Sequence, residues 1–384
     1  MLPFSSLSFF AAALALVALL HLARPWLARR LPFDRLLAGI ALAYALAAIP
    51  KGWLLVGYAA GLYGLYRLRL AGRIGTPVAL FAALLPLLCY KLSAIAPESH
   101  APQLGAFGVL GLSYLSFRAI QLLLDGPYQA PLGAAPTLAF LLFPPSLSAG
   151  PIDRSYRFAQ DLAQGYAGMT REAAATGLHW LAQGYVLKFG AAQLVAACWL
   201  DRFAAPAGWL DTAGDAYGYS VFLYCDFAGY SLMALGLARC IGVSLPANFD
   251  RPWLALDPQS FWRRFHISLG SFLNDYFFKP IYMKLAGTER LRRHRLLNQS
   301  LALFATFLLM GAWNGLAWHY LASGALFGLA SVLHNLYAQR WRRGVLARLE
   351  PRPLALRLYR LGAWFLMFHL AIVALYLFSG RFHP

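Results

Sequence analysis

Apolar residues in this chain come in long runs. From residue 7 to residue 378, stretches near the roughly 17–25 residues needed to cross hydrocarbon recur, with only short arginine- or proline-bearing breaks between them. The first run starts almost at Met1, with no basic leader before it and no cleavage site after it, and reads as a retained span. Further runs lie at 36–49, 53–66, 76–90, 104–117, 177–200 and 217–243. The run at 137–148 is short, carries Pro144 and Pro145, and reads as re-entrant, because non-helical backbone at membrane depth must line protein or water. Between 251 and 295 the pattern changes: Phe261, Trp262, Phe265, Leu269, Phe272, Leu273 and Tyr276 recur near helical spacing among charges, which predicts an amphipathic interfacial helix.

Residues 301–337 must leave the membrane face and return. Two crossings need roughly 40 residues plus a turn, slightly more than this segment holds, so the turn near 311–318 is predicted to stop inside the membrane. The whole pattern predicts an all-helical polytopic membrane protein with about 11 spanning or re-entrant segments, in a single domain over residues 1–384. There is no repeat and no linker to divide it.

Composition agrees: 60% of residues are hydrophobic and 12% charged, against about 25% charged in soluble chains. The formal charge of +18 would suggest nucleic acid in a soluble protein. Here the cations flank apolar runs, which is the positive-inside bias, and no nucleic-acid partner is expected. Arg24, Arg29, Arg30 and Arg35 place the first loop inside and the N-terminus outside; Arg67, Arg69 and Arg73, and the loop 340–360, also belong inside. Asp201, Asp211 and Asp215 against Arg202 suggest an external loop. Cys89, Cys198, Cys225 and Cys240 lack metal-ligand spacing and read as buried structural thiols; no metal is expected.

Ionisable groups at membrane depth are candidates for function. Asp226, in FLYCDFAGYS, fits either a reactive group or a structural partner for an arginine. Asp153 and Arg154, closing FPPSLSAGPIDR, fit a cap and ion pair on the re-entrant element as well as a substrate role. His266 lies among the aromatics of the interfacial stretch, with Asp275 nine residues on. Asn314 and His319 occupy the proposed intramembrane turn in LLMGAWNGLAWHYL, where Gly311 and Gly315 permit close backbone approach. An imidazole can take a proton and an amide can donate to an oxyanion; equally, both could satisfy helix carbonyls. No P-loop, GxGxxG, HExxH or GxSxG motif is present.

Together, FWRRFHISLGSFLNDYFF and MGAWNGLAWHYL resemble the paired signature of the membrane-bound O-acyltransferase family. GLSYLSFR, FPPSLSAGPIDR, FLYCDFAGYS, PANFDRPW and LYLFSG are similar in sequence and order to its teichoic-acid D-alanyl transferase branch, and the alginate O-acetyltransferase branch shares several of them. The resemblance implies transfer of an acyl group from a thioester to a hydroxyl across a thinned membrane core. His266 matches the first of two polar positions. The second is normally the histidine of Trp-His-Gly, and this chain has Trp313, Asn314 and Gly315. Asparagine cannot be a general base, a role typically contributing about 10²–10⁴-fold in rate. The chain is therefore an inactive form, or His319 or His266 has taken the proton-transfer role, or Asn314 makes only an oxyanion contact.

The resemblance further implies no resident cofactor and a D-alanyl donor on the phosphopantetheine of a small acidic carrier protein. Its dock would be Phe278, Ile281, Tyr282 and Met283, rimmed by Lys284, Arg290, Arg292 and Arg293. The acceptor would be an envelope polymer or a membrane protein, with room for an accessory membrane-anchored transferase, at the bacterial cytoplasmic (inner) membrane. The alternatives are acetyl transfer to an exopolysaccharide, or a lipid-linked-sugar transporter without covalent chemistry. The absence of internal symmetry argues against the transporter.

The charge pattern generates a topology test. In Arg30→Cys, Arg292→Cys and Arg343→Cys variants the new thiols should resist an impermeant external reagent. Labelling of all three from outside would overturn the orientation.

Overall fold

The computed structural model describes residues 7–93, 108, 110–203 and 208–381. Among them the backbone is helical, with no strand beyond one isolated antiparallel bridge, Phe249 to Phe265. Five described helices are long and apolar enough to cross a membrane, at Phe9–Arg30, Trp209–Cys240, Arg295–Asn314, Trp318–Arg340 and Pro353–Ser379, and shorter apolar helices lie at Thr76–Leu92 and Ala134–Ser146. This is the all-helical, multi-pass architecture that the apolar runs predict. The run expected at 104–117 begins outside the described residues and is helical from Leu112. Contacts group the chain into two units, one of Met1–Phe189 with Phe227–Pro246 and one of Gly190–Asp226 with Ala247–Pro384.

The first unit holds α1 (Leu7–Arg30), α2 (Phe33–Ala48), α3 (Gly52–Leu70), α4 (Thr76–Leu92), α5 (Leu112–Asp125), α6 (Ala134–Leu141), α7 (Ser155–Gln164), α8 (Arg171–Tyr185) and residues 227–240 of α9 (Trp209–Cys240). In lipid, helices gain little from burying apolar surface against one another and associate through close packing and hydrogen bonds. Small residues accordingly lie in the interior: Ala41, Ala59, Ala79 and Ala83 are each 0% exposed. Between α8 and α9 the approach is backbone to backbone. A Cβ at Gly177 would stand 2.6 Å from the carbonyl oxygen of Gly236, and one at Gly184 2.6 Å from that of Gly229.

The short apolar segment with Pro144 and Pro145 breaks its helix, α6 giving way to a 3₁₀ turn at Pro144–Ser146. The break frees carbonyls that no helix donor can reach. Buried Arg118 supplies the donors, to the Leu141 oxygen at 2.5 Å and to the Ser146 carbonyl and hydroxyl oxygens at 2.8 and 2.7 Å.

The second unit holds residues 209–226 of α9, then α10 (Pro258–Trp262), α11 (Ile267–Leu273), a π turn at Asn274–Phe278, α12 (Lys279–Gly287), α13 (Arg295–Asn314), α14 (Trp318–Arg340), α15 (Arg342–Leu349) and α16 (Pro353–Ser379). The interfacial stretch is thus a series of short helices and not one continuous helix. Its periodic residues are nonetheless the inward ones: Phe261, Phe265, Leu269, Phe272 and Leu273 are buried. The helical hairpin also differs from expectation. Helices α13 and α14 take in the flanking Arg295 and Arg340, reach 20 and 23 residues, and turn at 315–317. At 1.5 Å per residue each spans about 30 Å or more, so the shortage of residues that placed the turn inside the membrane does not arise.

Asp211 and Asp215 are likewise not loop residues, because α9 begins at Trp209. Asp215, 1% exposed, accepts from Arg381 Nη2 at 2.8 Å and Nε at 3.0 Å and from the Tyr376 hydroxyl at 2.9 Å. The cysteines are mixed: Cys225 and Cys240 are buried and Cys89 is half-buried, but Cys198 is exposed, on an outward position of a π turn.

At Gly184 and Gly229 the obstacle to a side chain is backbone, which cannot give way. Gly184→Val or Gly229→Val should destabilise the fold by at least the roughly 1–3 kcal/mol typical of overpacking, read as a lower thermal unfolding midpoint in detergent. Gly61→Ala is the control, since a Cβ there meets nothing within 4 Å; equal losses at all three positions would refute the close-packing account.

Candidate active site

His266 sits where the interfacial helices are interrupted. Backbone groups on either side of it are taken by a neighbouring stretch of chain: Asp250 N donates to the Arg264 oxygen at 2.9 Å, and Ile267 N donates to the Asn248 oxygen at 3.0 Å. His266 itself adopts left-handed backbone, φ 50°, at the N-terminus of α11. That conformation costs of order 1–3 kcal/mol in a residue with a Cβ and persists only where its surroundings hold it. Here Phe261 and Phe265 stack at 5.1 Å on one side of the break, and Asn248 spans the other.

Asn248 Oδ1 accepts from Ser268 Oγ at 2.7 Å, from Ser268 N at 3.2 Å, and lies 3.2 Å from His266 Nδ1. An oxygen already fixed as an acceptor makes Nδ1 the protonated nitrogen and Nε2 the unprotonated one. Burial pushes the imidazole down to about 3, so it is neutral at pH 7. Sequence reasoning had not singled out Asn248; its signal was the PANFDRPW motif that contains it.

Alongside this element runs a cavity of about 650 Å³, between the α10–α11 segment and α13. Gln259, Arg263, Asn274 and Gln299 give it hydrogen-bonding walls, and Trp262, Phe278, Phe307 and Met310 give it apolar ones. Asn314 ends α13, exposed, with its amide donating back to the Met310 oxygen at 2.8 Å. His319, half-buried, donates from Nδ1 to the Phe378 oxygen at 3.0 Å, because a carbonyl can only accept. No described hydrogen bond joins His266 to either residue. Asn314 and His319 thus share the α13–α14 turn and each satisfies a backbone carbonyl.

The other residues singled out by sequence occupy different places. Asp153 is buried and forms a paired hydrogen bond with Arg157, not with Arg154, whose backbone N donates to it at 2.7 Å. Arg157 also donates to Asp161 at 2.7 Å, so the cluster anchors α7. Asp226 lies half-buried along α9. Asp275 pairs with exposed Lys279 at 2.8 Å, a surface i,i+4 contact contributing about 0.3–0.5 kcal/mol. Phe278 and Tyr282 stack at 6.1 Å, Ile281 is half-buried, Met283 is 67% exposed, and Lys284, Arg290, Arg292 and Arg293 are exposed. Among the described residues no group of three or more His, Cys, Asp or Glu could hold a metal ion.

The description "MBOAT, membrane-bound O-acyltransferase family" matches residues 130–379. The teichoic acid D-alanyltransferase of Bacillus subtilis (strain 168) is 30% identical over 317 residues, covering 79% of this chain and 78% of its own length. A probable alginate O-acetylase of Pseudomonas aeruginosa is 34% identical over 229 residues, 57% of this chain and 41% of its own. A peptidoglycan O-acetyltransferase of Helicobacter pylori is 37% identical over 125 residues, 33% of this chain and 22% of its own. A multi-pass helical membrane protein with this family match and these relatives belongs to the membrane-bound O-acyltransferase family and is an acyltransferase.

Proposed function

We propose that this chain passes a D-alanyl group from a carrier-protein thioester to a hydroxyl of a cell-envelope polymer, in a bacterial cytoplasmic membrane. What supports this reading is the cavity lined by residues on either side of His266 in the chain, Arg263 and Ile267 among them, together with what stands at its edge. A phosphopantetheine arm offers two amides, a thioester and a phosphodiester. Gln259, Asn274 and Gln299 match the amides and Arg263 matches the phosphate. Phe278 lines the cavity and also stacks on Tyr282, which leads onto the exposed Met283 and Lys284 and the basic segment Arg290, Arg292 and Arg293. An apolar anchor within a cationic rim suits a small acidic carrier. The similarity to teichoic acid D-alanyltransferases over most of both chains supports the D-alanyl donor over an acetyl donor.

In this reading the acceptor oxygen attacks the thioester carbonyl carbon and its proton passes to a neutral imidazole. The C–S bond breaks and the thiolate leaves with the pantetheine arm. His266 is the base in this reading, through Nε2, the nitrogen that is unprotonated while Nδ1–H faces Asn248. Asparagine can donate but cannot take up a proton, so in this reading Asn314 serves at most the developing oxyanion. That division leaves the reaction short of one titratable group relative to Trp-His-Gly sequences.

Two measurements test the reading. Replacing Ile281 and Met283 together with aspartate should abolish pull-down of the carrier protein; unchanged binding in low salt would remove the dock from this surface. Transfer by the parent, Asn314→His, His319→Ala and His266→Ala proteins at matched expression addresses the site. Asn314→His should raise transfer about 10²-fold, equivalent to about 2.7 kcal/mol of barrier, and His266→Ala should eliminate it. Parent activity that survives both alanine substitutions would refute the assignment.

A further inference from the structure

A groove of about 580 Å³ lies between α14 and α16, away from the cavity beside His266. Its floor is small: Ala330 faces Gly362 and Ala363, and a Cβ at Gly362 would meet nothing within 4 Å. Both helices are candidate membrane spans. The leucines flanking the groove are turned outward, Leu329 50%, Leu358 59% and Leu366 71% exposed. At membrane depth such side chains face hydrocarbon, so the groove opens sideways to lipid and not to water.

One end of the groove is polar. The Tyr337 and Tyr359 hydroxyls lie 3.0 Å apart, and His334 Nε2 lies 4.0 Å from Asp257 Oδ1. Arg342 opens α15 just past Arg340, the last residue of α14, five residues beyond Tyr337. Asp257 is the local anion, and its carboxylate is already engaged by Ser260 N at 2.7 Å as the cap of α10. Beyond the tyrosines the chain continues through Arg340, Arg342, Arg343, Arg348, Arg352, Arg357 and Arg360 with Glu350 as the sole acid among residues 340–360.

We propose that this groove is a binding site for an anionic phospholipid. One acyl chain lies along Ala330, Gly362 and Ala363, and the phosphodiester is received by the Tyr337 and Tyr359 hydroxyls and by Arg342. An excess of guanidinium groups selects a headgroup without a cation of its own; basic sites between membrane helices bind anionic headgroups for this reason. Asp257 caps the helix that leads to His266, so the lipid buttresses the element carrying the candidate base.

The test is thermal unfolding of the purified full chain in detergent, with added phosphatidylglycerol, phosphatidylcholine of the same acyl chains, or inorganic phosphate. Phosphatidylglycerol should raise the midpoint by about 3 °C at a hundredfold excess over its Kd, and the other two should leave it unchanged. Gly362→Phe, which fills the floor, and Arg342→Gln, which removes an exposed cation, should each abolish the response. Should Gly362→Phe fail to fold, Arg342→Gln carries the comparison. Equal shifts with both lipids, a shift with phosphate alone, or a full response in Arg342→Gln would overturn the proposal.

Discussion

A backbone N–H or C=O in hydrocarbon has no water to bond, and leaving it unpaired costs several kcal/mol. In this protein that constraint dictates more than helicity. Wherever the helical ladder is interrupted, a side chain or a second stretch of backbone must take its place. At Pro144–Ser146 the substitute is the Arg118 guanidinium. On either side of His266 it is the segment 248–250, through the Asp250–Arg264 and Ile267–Asn248 bonds. At the α13–α14 turn the Asn314 amide and the His319 imidazole each bond a main-chain carbonyl. Two of the polar residues that look like chemistry in the sequence thus first of all bind backbone.

This places structural and functional demands on the same atoms. His266 is held in an unfavourable backbone conformation by stacked aromatics and by Asn248, and the same Asn248 contact sets which imidazole nitrogen carries the proton. A side chain fixed in this way loses little freedom when it acts, which is how a preorganised base is built. By contrast, Asn314 and His319 already satisfy carbonyls, and any part they take in acyl transfer begins from those bonds.

Asn314 is also the position where this chain leaves the pattern of the family to which it belongs. An amide keeps the donor capacity of an imidazole and lacks its titration, so in the proposed reaction Asn314 can stabilise charge while proton transfer falls to another group.

Much of this could be read from the residues alone. The long apolar runs, with few charges to interrupt them, pointed to an all-helical membrane protein, because membrane helices are apolar throughout whereas barrel strands alternate apolar and polar residues. The two motifs determined the family and pointed to His266, since aromatic spacing and a lone imidazole survive in one dimension. What only the tertiary structure decided are the contacts between residues distant in sequence. Examples are Asn248 on His266, Arg381 on Asp215, and the backbone contact of Gly177 and Gly184 with Gly236 and Gly229. Helix limits belong to the same class: periodicity shows which residues face inward along 251–295, but not that pairing with 248–250 would break the helix at His266. Periodicity is a property of neighbours in sequence, whereas a hydrogen bond or a close approach depends on which groups the folded chain brings within about 3 Å.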